Sequence, residues 1–199
     1  MKKLIALACL ATTVSLASGT AMADSIKGRF GVTGKIGFVL PADNDAEFSI
    51  NRTNRTDAGF IAGGGVIYGI DNLYAAEFDV TRSAFDSDTG DFGVTNVSFG
   101  GQYRFPYLQN RQLVPYAGGG LDIIFTDYDP NDGTGRDVDT TVGIHVKGGV
   151  DYFLEKQLAL TAEAKIVLAP DADISGNGRS GDFDPTNFSS TVGIRYFFN

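Results

Sequence analysis

The sequence predicts an all-β fold: one antiparallel sheet of eight up-and-down strands closed into a barrel. Three observations predict it. Eight segments alternate apolar and polar residues with a period of two, as a strand does when it sends successive side chains to opposite faces. The connections between these segments alternate in length, short then long. After Ala23 no run of 18 consecutive apolar residues occurs, so nothing in the mature chain reads as a membrane-crossing helix.

The chain opens on a leader. Lys2 and Lys3 precede an apolar stretch from Leu4 to Leu16, and Ala21-Met22-Ala23 forms a small-x-small cleavage site. Residues 1–23 therefore read as a secretory signal peptide, with the mature chain beginning at Asp24. The stretch falls short of the ~20 residues a spanning helix needs. Cys9, the single cysteine, lies inside it with too little apolar sequence in front to mark a lipidation site. Export without disulfides suits a barrel whose hydrogen-bond ladder closes on itself. The mature domain, 24–199, has 199 − 23 = 176 residues, enough for one domain. Losing Lys2 and Lys3 takes the net charge from −8 to −10, which argues against nucleic acid as a partner.

The first segment, 26–40, sets Phe30, Val32, Gly34, Ile36, Phe38 and Leu40 against Arg29, Gly31, Thr33, Lys35 and Gly37. The second, 57–70, is less clean and places Ile61 and Ile67 beside Gly63 and Gly65. In the third, 73–83, Tyr74, Ala76, Phe78 and Val80 oppose Glu77, Asp79 and Thr81. The fourth, 93–105, sets Val97, Phe99, Gly101, Tyr103 and Phe105 against Asn96, Ser98, Gln102 and Arg104. The fifth, 113–126, opens with Pro115-Tyr116-Ala117-Gly118-Gly119-Gly120, with Tyr116 and Ile124 on the face of Asp122. The sixth, 140–154, gives Val142, Ile144, Val146, Val150, Tyr152 and Leu154 against Thr141, His145, Lys147 and Asp151. The seventh, 158–169, gives Leu158, Leu160, Ala162, Ala164, Ile166 and Leu168 against Thr161, Glu163 and Lys165. The eighth, 188–198, alternates Phe188, Val192, Ile194, Tyr196 and Phe198 with Ser189, Thr191, Gly193 and Arg195. Each segment is near the ~9–11 residues with which a tilted strand crosses a bilayer.

The short connections are Asp71-Asn72, Pro106–Gln112 and Glu155–Gln157; the long ones are Pro41–Thr56, Ala84–Phe92, Asp127–Asp139 and Pro170–Asn187. Short turns on one side and long loops on the other are expected of an up-and-down barrel in a membrane, with both termini on the short-turn side. Two orientations of the faces fit the alternation. A soluble barrel would bury the apolar face; a membrane barrel would turn it to lipid. The polar faces carry Arg29, Lys35, Arg104, Lys147, Lys165 and Arg195 against Glu77, Asp79, Asp122, Asp151 and Glu163, a near-balance that suits charges paired in a closed lumen. Tyr68, Tyr74, Phe105, Tyr152, Tyr196 and Phe198 gather at the short-turn ends, like an interfacial aromatic girdle. Only Arg82 charges the apolar face, near the long-loop end, where it can reach the interface.

The final strand resembles the C-terminal signal by which outer-membrane barrels are recognised for insertion, except that Asn199 follows the aromatic residue. With the leader, the strand pattern, the Pro115–Gly120 opening and the Gly193–Phe198 ending, residues 24–199 resemble the small eight-stranded outer-membrane β-barrel proteins of the A, X and W types and the opacity-type porins and adhesins. The resemblance implies a Gram-negative-type outer membrane, contact with its lipid and lipopolysaccharide, insertion by the barrel-assembly machinery and a monomeric state. It implies structural proteins, adhesins, narrow channels and a few lipid-modifying enzymes as relatives. Lipid A deacylases of this class use a His with a Ser two residues later; here Lys147 follows His145, so that pattern is not met. No nucleophile elbow, phosphate loop or Cys/His cluster occurs, and no enzyme or cofactor is expected.

Two candidate sites remain. One is the lumen network of Arg29, Lys35, Glu77, Asp79, Arg104, Asp122, His145, Lys147, Asp151, Glu163, Lys165 and Arg195. Strand adjacency pairs Lys147 and Lys165 with Glu163, and Glu77 with Gln102 and Arg104. Either these groups plug the barrel or they line a narrow polar pore; side chains just fill a barrel of eight strands. The other site is the long loops, with fifteen acids (3 + 3 + 5 + 4) and four bases, a net of −11. Asp171, Asp173, Ser175 and Asp182, with Gly176, resemble a calcium loop, and Asp127, Asp129, Asn131 and Asp132 form a looser version. Weak Ca²⁺ binding, bridging to lipopolysaccharide, is the expectation there. The function predicted is a structural or porin-like integral outer-membrane protein; a loop-mediated binding protein or adhesin is the alternative, and a soluble periplasmic barrel a further one.

Overall fold

In lipid, every backbone N–H and C=O must find a partner within the protein, and a sheet meets that demand only by closing on itself. A computed structural model of the chain, describing residues 25–41, 58–87, 90–105, 112–130, 136–138, 140–170, 172–176 and 179–198, shows that closure. The strands are β1 (Phe30–Pro41), β2 (Gly59–Gly69), β3 (Tyr74–Ser87), β4 (Gly90–Arg104), β5 (Leu113–Pro130), β6 (Arg136–Val138), β7 (Thr141–Phe153), β8 (Leu158–Leu168), β9 (Ala172–Gly176), β10 (Arg179–Phe183) and β11 (Asn187–Phe197). Eight of them form the barrel, in the order β1-β2-β3-β4-β5-β7-β8-β11, and every neighbour is antiparallel. The first and last strands seal it, from Gly31 opposite Phe197 to Pro41 opposite Asn187. The signal peptide expected at residues 1–23 lies outside the described residues.

Alternation sets the faces. Phe30, Ile36, Phe99, Leu121, Val142, Val146 and Val192 are among the large apolar side chains standing outward and exposed, with Phe30 at 60 %. Lys35, Glu77, Asp79, Arg104, Asp122, Lys147, Asp151, Glu163 and Arg195 are buried on the opposite face. The apolar face is therefore the outer one, and the soluble-barrel orientation is overturned. At the short-turn end the exposed aromatics pack edge to face or tilted: Phe30 with Tyr68 at 4.6 Å, Tyr74 with Tyr103 at 5.3 Å, Tyr103 with Phe105 at 4.8 Å and Tyr196 with Phe198 at 5.2 Å. Arg82, outward near the other end, donates to Thr95 Oγ1 at 3.2 Å and Asp127 Oδ2 at 3.4 Å.

The long connections differ from the sequence reading. The stretch Ala84–Phe92, expected as a loop, continues the β3–β4 ladder through Phe85 opposite Phe92 to Ser87 opposite Gly90. Two other long connections contain strands. β5 runs on to Pro130, β6 pairs with its end at Tyr128 opposite Arg136, β9 pairs with β6, and β10 pairs with β9. These strands are three to five residues long, and the alternation of Ala172 and Ile174 against Asp173 and Ser175 in β9 lies among Gly, Asn and Asp residues that read as loop. The readable signal was the Asn177-Gly178 pair between β9 and β10, the dipeptide that favours two-residue hairpins.

The short-turn mouth is built locally. Between β2 and β3, Asp71 Oδ1 accepts hydrogen bonds from the backbone N–H of Leu73 and Tyr74, both at 2.7 Å. These bonds stabilise the carboxylate and hold its pKa below the usual value. Before β1, Gly28 takes a left-handed φ of 73°, and the chain reverses so that Arg29 N–H donates to Ile26 C=O at 2.9 Å.

Two outcomes follow. Val146→Arg, on the lipid face midway along β7, is expected to cost ~2–4 kcal/mol, the penalty for a charge at mid-depth; denaturant unfolding in lipid vesicles measures it. Asp71→Ala is expected to destabilise the β2–β3 turn at neutral pH. Because the folded carboxyl titrates below the unfolded value of ~3.9, that stabilisation is present above pH ~3.9 and fades as pH falls through the lower folded value. Unfolding curves of parent and variant should therefore converge only in strong acid.

Candidate functional site

The inward faces of the eight strands fill the lumen in layers. At the short-turn end Ile26, Ile67, Ala75, Val114, Phe153, Ala159 and Phe197 form an apolar floor. Ile26 reaches it because the Gly28 reversal folds the chain across the mouth. Toward the long-connection end Val39, Ile61, Val94, Ile124 and Val167 form an apolar ceiling. Between them lie the charges.

The lower charge cluster is continuous. Arg104 Nη2 meets Asp151 Oδ2 at 2.7 Å, and Arg195 Nη1 meets the same oxygen at 2.9 Å. Arg195 Nη2 lies 2.9 Å from Glu77 Oε1, and Lys147 Nζ bonds Glu77 Oε2. Lys147 Nζ is 3.3 Å from Glu163 Oε2; Lys35 Nζ is 3.2 Å from Glu163 Oε1 and 3.0 Å from Asp79 Oδ2. Four cations (Arg104, Arg195, Lys147, Lys35) face four anions (Asp151, Glu77, Glu163, Asp79), so the cluster is neutral. Tyr116 packs among them: its hydroxyl donates to Glu163 Oε2 at 3.0 Å, and its ring lies 5.9 Å from the Arg104 guanidinium and 5.5 Å from that of Arg195. Gly149 makes room for the ring, since a Cβ there would sit 2.5 Å from Tyr116 Oη and Cζ.

The upper cluster centres on Asp122. Lys165 Nζ and Ser98 Oγ each donate to Asp122 Oδ1 at 2.6 Å, and Lys165 Nζ also donates to Ser98 Oγ at 2.6 Å. His145 Nδ1 donates to Asp122 Oδ2; a carboxylate only accepts, so Nδ1 carries the proton. A chamber of about 30 Å³ lies between Lys35, Asp79 and Glu163 of the lower cluster and the ceiling residues Val39, Ile61, Val94 and Val167, with Lys165 and Ser83 on its wall. That is room for about two waters. Gln102 at both ends of its amide, Arg104 Nη1 and Asp79 Oδ1 are buried without a protein partner among the described residues.

Of the twelve expected lumen residues, eleven come together in these two clusters. Arg29 does not. It lies at the short-turn rim, donating to the carbonyls of Phe198 at 3.2 Å, Lys156 at 3.0 Å and Phe197 at 3.3 Å, with its guanidinium 5.5 Å from the Phe197 ring. It precedes the first paired residue of β1 and reaches the end of β11 instead of the lumen. Of the pairings that strand adjacency suggested, Lys147 with Glu163 is present, and the others differ. Glu77 binds Lys147 and Arg195 across the lumen, and Lys165 binds Asp122. Lys147 stands directly opposite Lys165 in the β7–β8 ladder, and like charges so placed repel. One turns down to Glu77 and the other up to Asp122. Ser98, Thr161, Tyr116 and Ile26 were not singled out as site residues. Inward parity marks the first three, whereas nothing in the sequence marks Ile26.

The calcium-like stretch falls partly outside the described residues, with Asp171 among those not described. Asp173 and Ser175 lie on β9 and Asp182 on β10, Asp173 directly opposite Asp182. The backbone there is an extended hairpin, unlike the turn on which a calcium-loop pattern depends. Among the described residues no three His, Cys, Asp or Glu side chains are grouped to hold a metal ion. In the second stretch Asp127 pairs with Arg82, while Asn131 and Asp132 are not described.

A family model described as outer membrane protein beta-barrel domain matches residues 7–198. Among solved structures, the outer membrane protein OprG from Pseudomonas aeruginosa superposes with a TM-score of 0.72 at 17% identity, covering 90% of this chain and 99% of that one. Neisserial surface protein A gives 0.64 at 19% identity, covering 85% and 97%. AlkL, solved by solid-state NMR in DMPC bilayers, gives 0.60 at 17% identity, covering 87% and 91%. No curated protein matches the sequence.

Asp151 is the acceptor for both buried guanidinium groups of the lower cluster. Asp151→Ala leaves them uncompensated and is expected to destabilise the barrel by ~3–5 kcal/mol. Arg29→Ala at the rim should cost less than half as much. Equilibrium unfolding of the two variants side by side checks the ordering.

Proposed function

We propose that this chain, which belongs to the outer membrane protein beta-barrel domain family, is a non-conducting outer-membrane anchor that acts through its long-connection end. The observation that carries the reading is the sealed lumen: an apolar floor, two charge clusters paired into neutrality, and an apolar ceiling. A hydrated ion crossing it would have to displace buried ion pairs whose separated charges have no other partners, at a cost of several kcal/mol each. Passage is thus the weaker use of this barrel, and the surface the stronger.

That surface has a distinct character. β6, β9 and β10 extend the sheet from the end of β5, building a platform beyond the lipid-facing span. The long connections carry fifteen acids and four bases. A partner recognised there presents cationic groups, or divalent cations that bridge to an anionic surface such as lipopolysaccharide. The role is one of structure and attachment, without catalysis. His145 is turned into the lumen beside Asp122, away from the lipid where a lipid-modifying reaction would take place.

Single-channel recording on the refolded mature chain in a planar bilayer tests this reading. A folded barrel without discrete openings is the expected result. Regular openings, altered in size by Lys147→Ala, would instead make the lumen a pore and the protein porin-like.

A further inference from the structure

We propose that the outer wall of the barrel seats a phosphorylated lipid headgroup of the outer leaflet at Arg82. The site stands apart from the lumen and is independent of whether the lumen conducts. On the eight barrel strands Lys35, Arg104, Lys147, Lys165 and Arg195 all bond carboxylates of the lumen clusters. Among the described basic residues of those strands Arg82 alone stands on the lipid side, its side chain 63% exposed. Its depth follows from its place on β3. From Tyr74 of the short-turn girdle to Arg82 is 82 − 74 = 8 residues. At ~3.3 Å per residue and a tilt of ~40°, that is ~20 Å of an apolar band ~25 Å tall. Arg82 therefore lies at the far edge of the band, where the headgroup region begins.

The guanidinium is held over β4. Nη1 donates to Thr95 Oγ1 at 3.2 Å and Nη2 to Asp127 Oδ2 at 3.4 Å. Gly93 gives it room, since a Cβ there would come 3.0 Å from Nη2. A guanidinium has five N–H donors in a fixed fork, and the contacts with described residues use two of them. Asp127 is a weak competitor for the rest. The pair is a single contact at 3.4 Å between side chains 63% and 69% exposed, and surface pairs of this kind contribute little. A phosphate presents two oxygens to the same fork and accepts two parallel, shorter and stronger bonds.

The surroundings fit the rest of a lipid. The next outward row toward the membrane centre is Gly64, Val80, Val97 and Ile123, paired across β2, β3, β4 and β5. Phe60, exposed on β2 opposite Ala84, stands diagonally from Arg82. Acyl chains lie on this apolar wall while the head meets the cation. In the other direction Asp86 stands opposite Asp91, and Asp91 opposite Asp129, an acidic row across three strands. The row is four residues past Arg82, 86 − 82 = 4. That is ~13 Å of strand, beyond the ~8 Å over which charges act at physiological ionic strength. The row therefore leaves the charge of Arg82 in place and disfavours an anion seated any higher. Charge complementarity thus selects a net anionic head on an apolar tail.

The chain has no Trp, so one introduced beside the site reports on it alone. Phe60→Trp supplies that reporter. The expected mature chain is refolded into vesicles of phosphatidylcholine and phosphatidic acid, with brominated acyl chains on one lipid or the other. Quenching of the introduced indole gives the relative affinity of the two lipids at that position. Phosphatidic acid should be preferred about fivefold, the effect of one basic group near anionic headgroups. Arg82→Gln should bring the preference to near one, and Asp127→Asn, which removes the competitor, should raise it about twofold. Phe188→Trp, exposed three strands away near the same end of the barrel, should show no preference in the parent chain. The site is overturned if no preference is found at Phe60→Trp, if one survives Arg82→Gln, or if Phe188→Trp shows it equally. A preference lost on adding EDTA, or lost in Asp127→Asn, overturns direct contact in favour of a bridging divalent cation. Circular dichroism confirms folding of each variant, and Arg82→Leu replaces Arg82→Gln if the latter fails to fold.

Discussion

Arg195 is the junction on which the interior depends. From β11 its guanidinium donates to Thr33 on β1 at 3.0 Å, to Glu77 on β3 at 2.9 Å and to Asp151 on β7 at 2.9 Å, tying four of the eight barrel strands with a side chain 1% exposed. The need for such a junction follows from closure. Lipid obliges the sheet to close, eight strands leave a lumen that side chains fill, and the apolar residues face outward. The inward face is then polar, and buried charge is tolerable only when paired and hydrogen-bonded. The consequences spread along the sequence. Arg195 and Arg104 flank Tyr116, the Tyr116 ring occupies the space beside β7, and residue 149 must therefore be glycine.

The part of this that the sequence makes legible is the part that lipid enforces. Hydrocarbon demands an unbroken apolar outer face, so parity alone sends Lys35, Glu77, Asp122, Lys147, Glu163 and Arg195 inward, and all are found there. Parity does not choose partners. A closed, staggered barrel brings inward side chains together across the lumen as well as along one ladder, so Glu77 on β3 meets Lys147 on β7. Where lipid ends, legibility ends too. β6 is three residues long and β9 and β10 five each, runs too short to stand out as strands among the Gly, Asn and Asp of their connections. Arg29 has inward parity but lies past the paired end of its strand, where backbone carbonyls replace side chains as partners. Ile26 enters the floor only through the left-handed turn at Gly28, which no periodicity encodes.

Sealing and stability are the same property in this lumen. A pore needs mobile or solvated polar groups along a continuous path. Here each polar layer is bounded by an apolar one, and every carboxylate of the charged layers is held by at least one cation. The exception is instructive. Lys165 and the chamber it borders are the least tightly filled part, and they lie on the side of the long connections. The short-turn side has the opposite construction: a seven-residue apolar floor, the turn at Gly28 and the rim clasp of Arg29 on the end of β11. Whatever freedom the interior has is directed outward, toward the surface.

The distribution of charge completes that asymmetry. The expected mature chain carries −10 and its long connections −11, so everything else sums to −10 + 11 = +1. With both lumen clusters neutral, the barrel contributes almost no field of its own, and what an approaching partner meets is set by the connections alone. A surface electrostatically independent of its anchor can vary freely, since changing a loop residue unpairs nothing in the lumen.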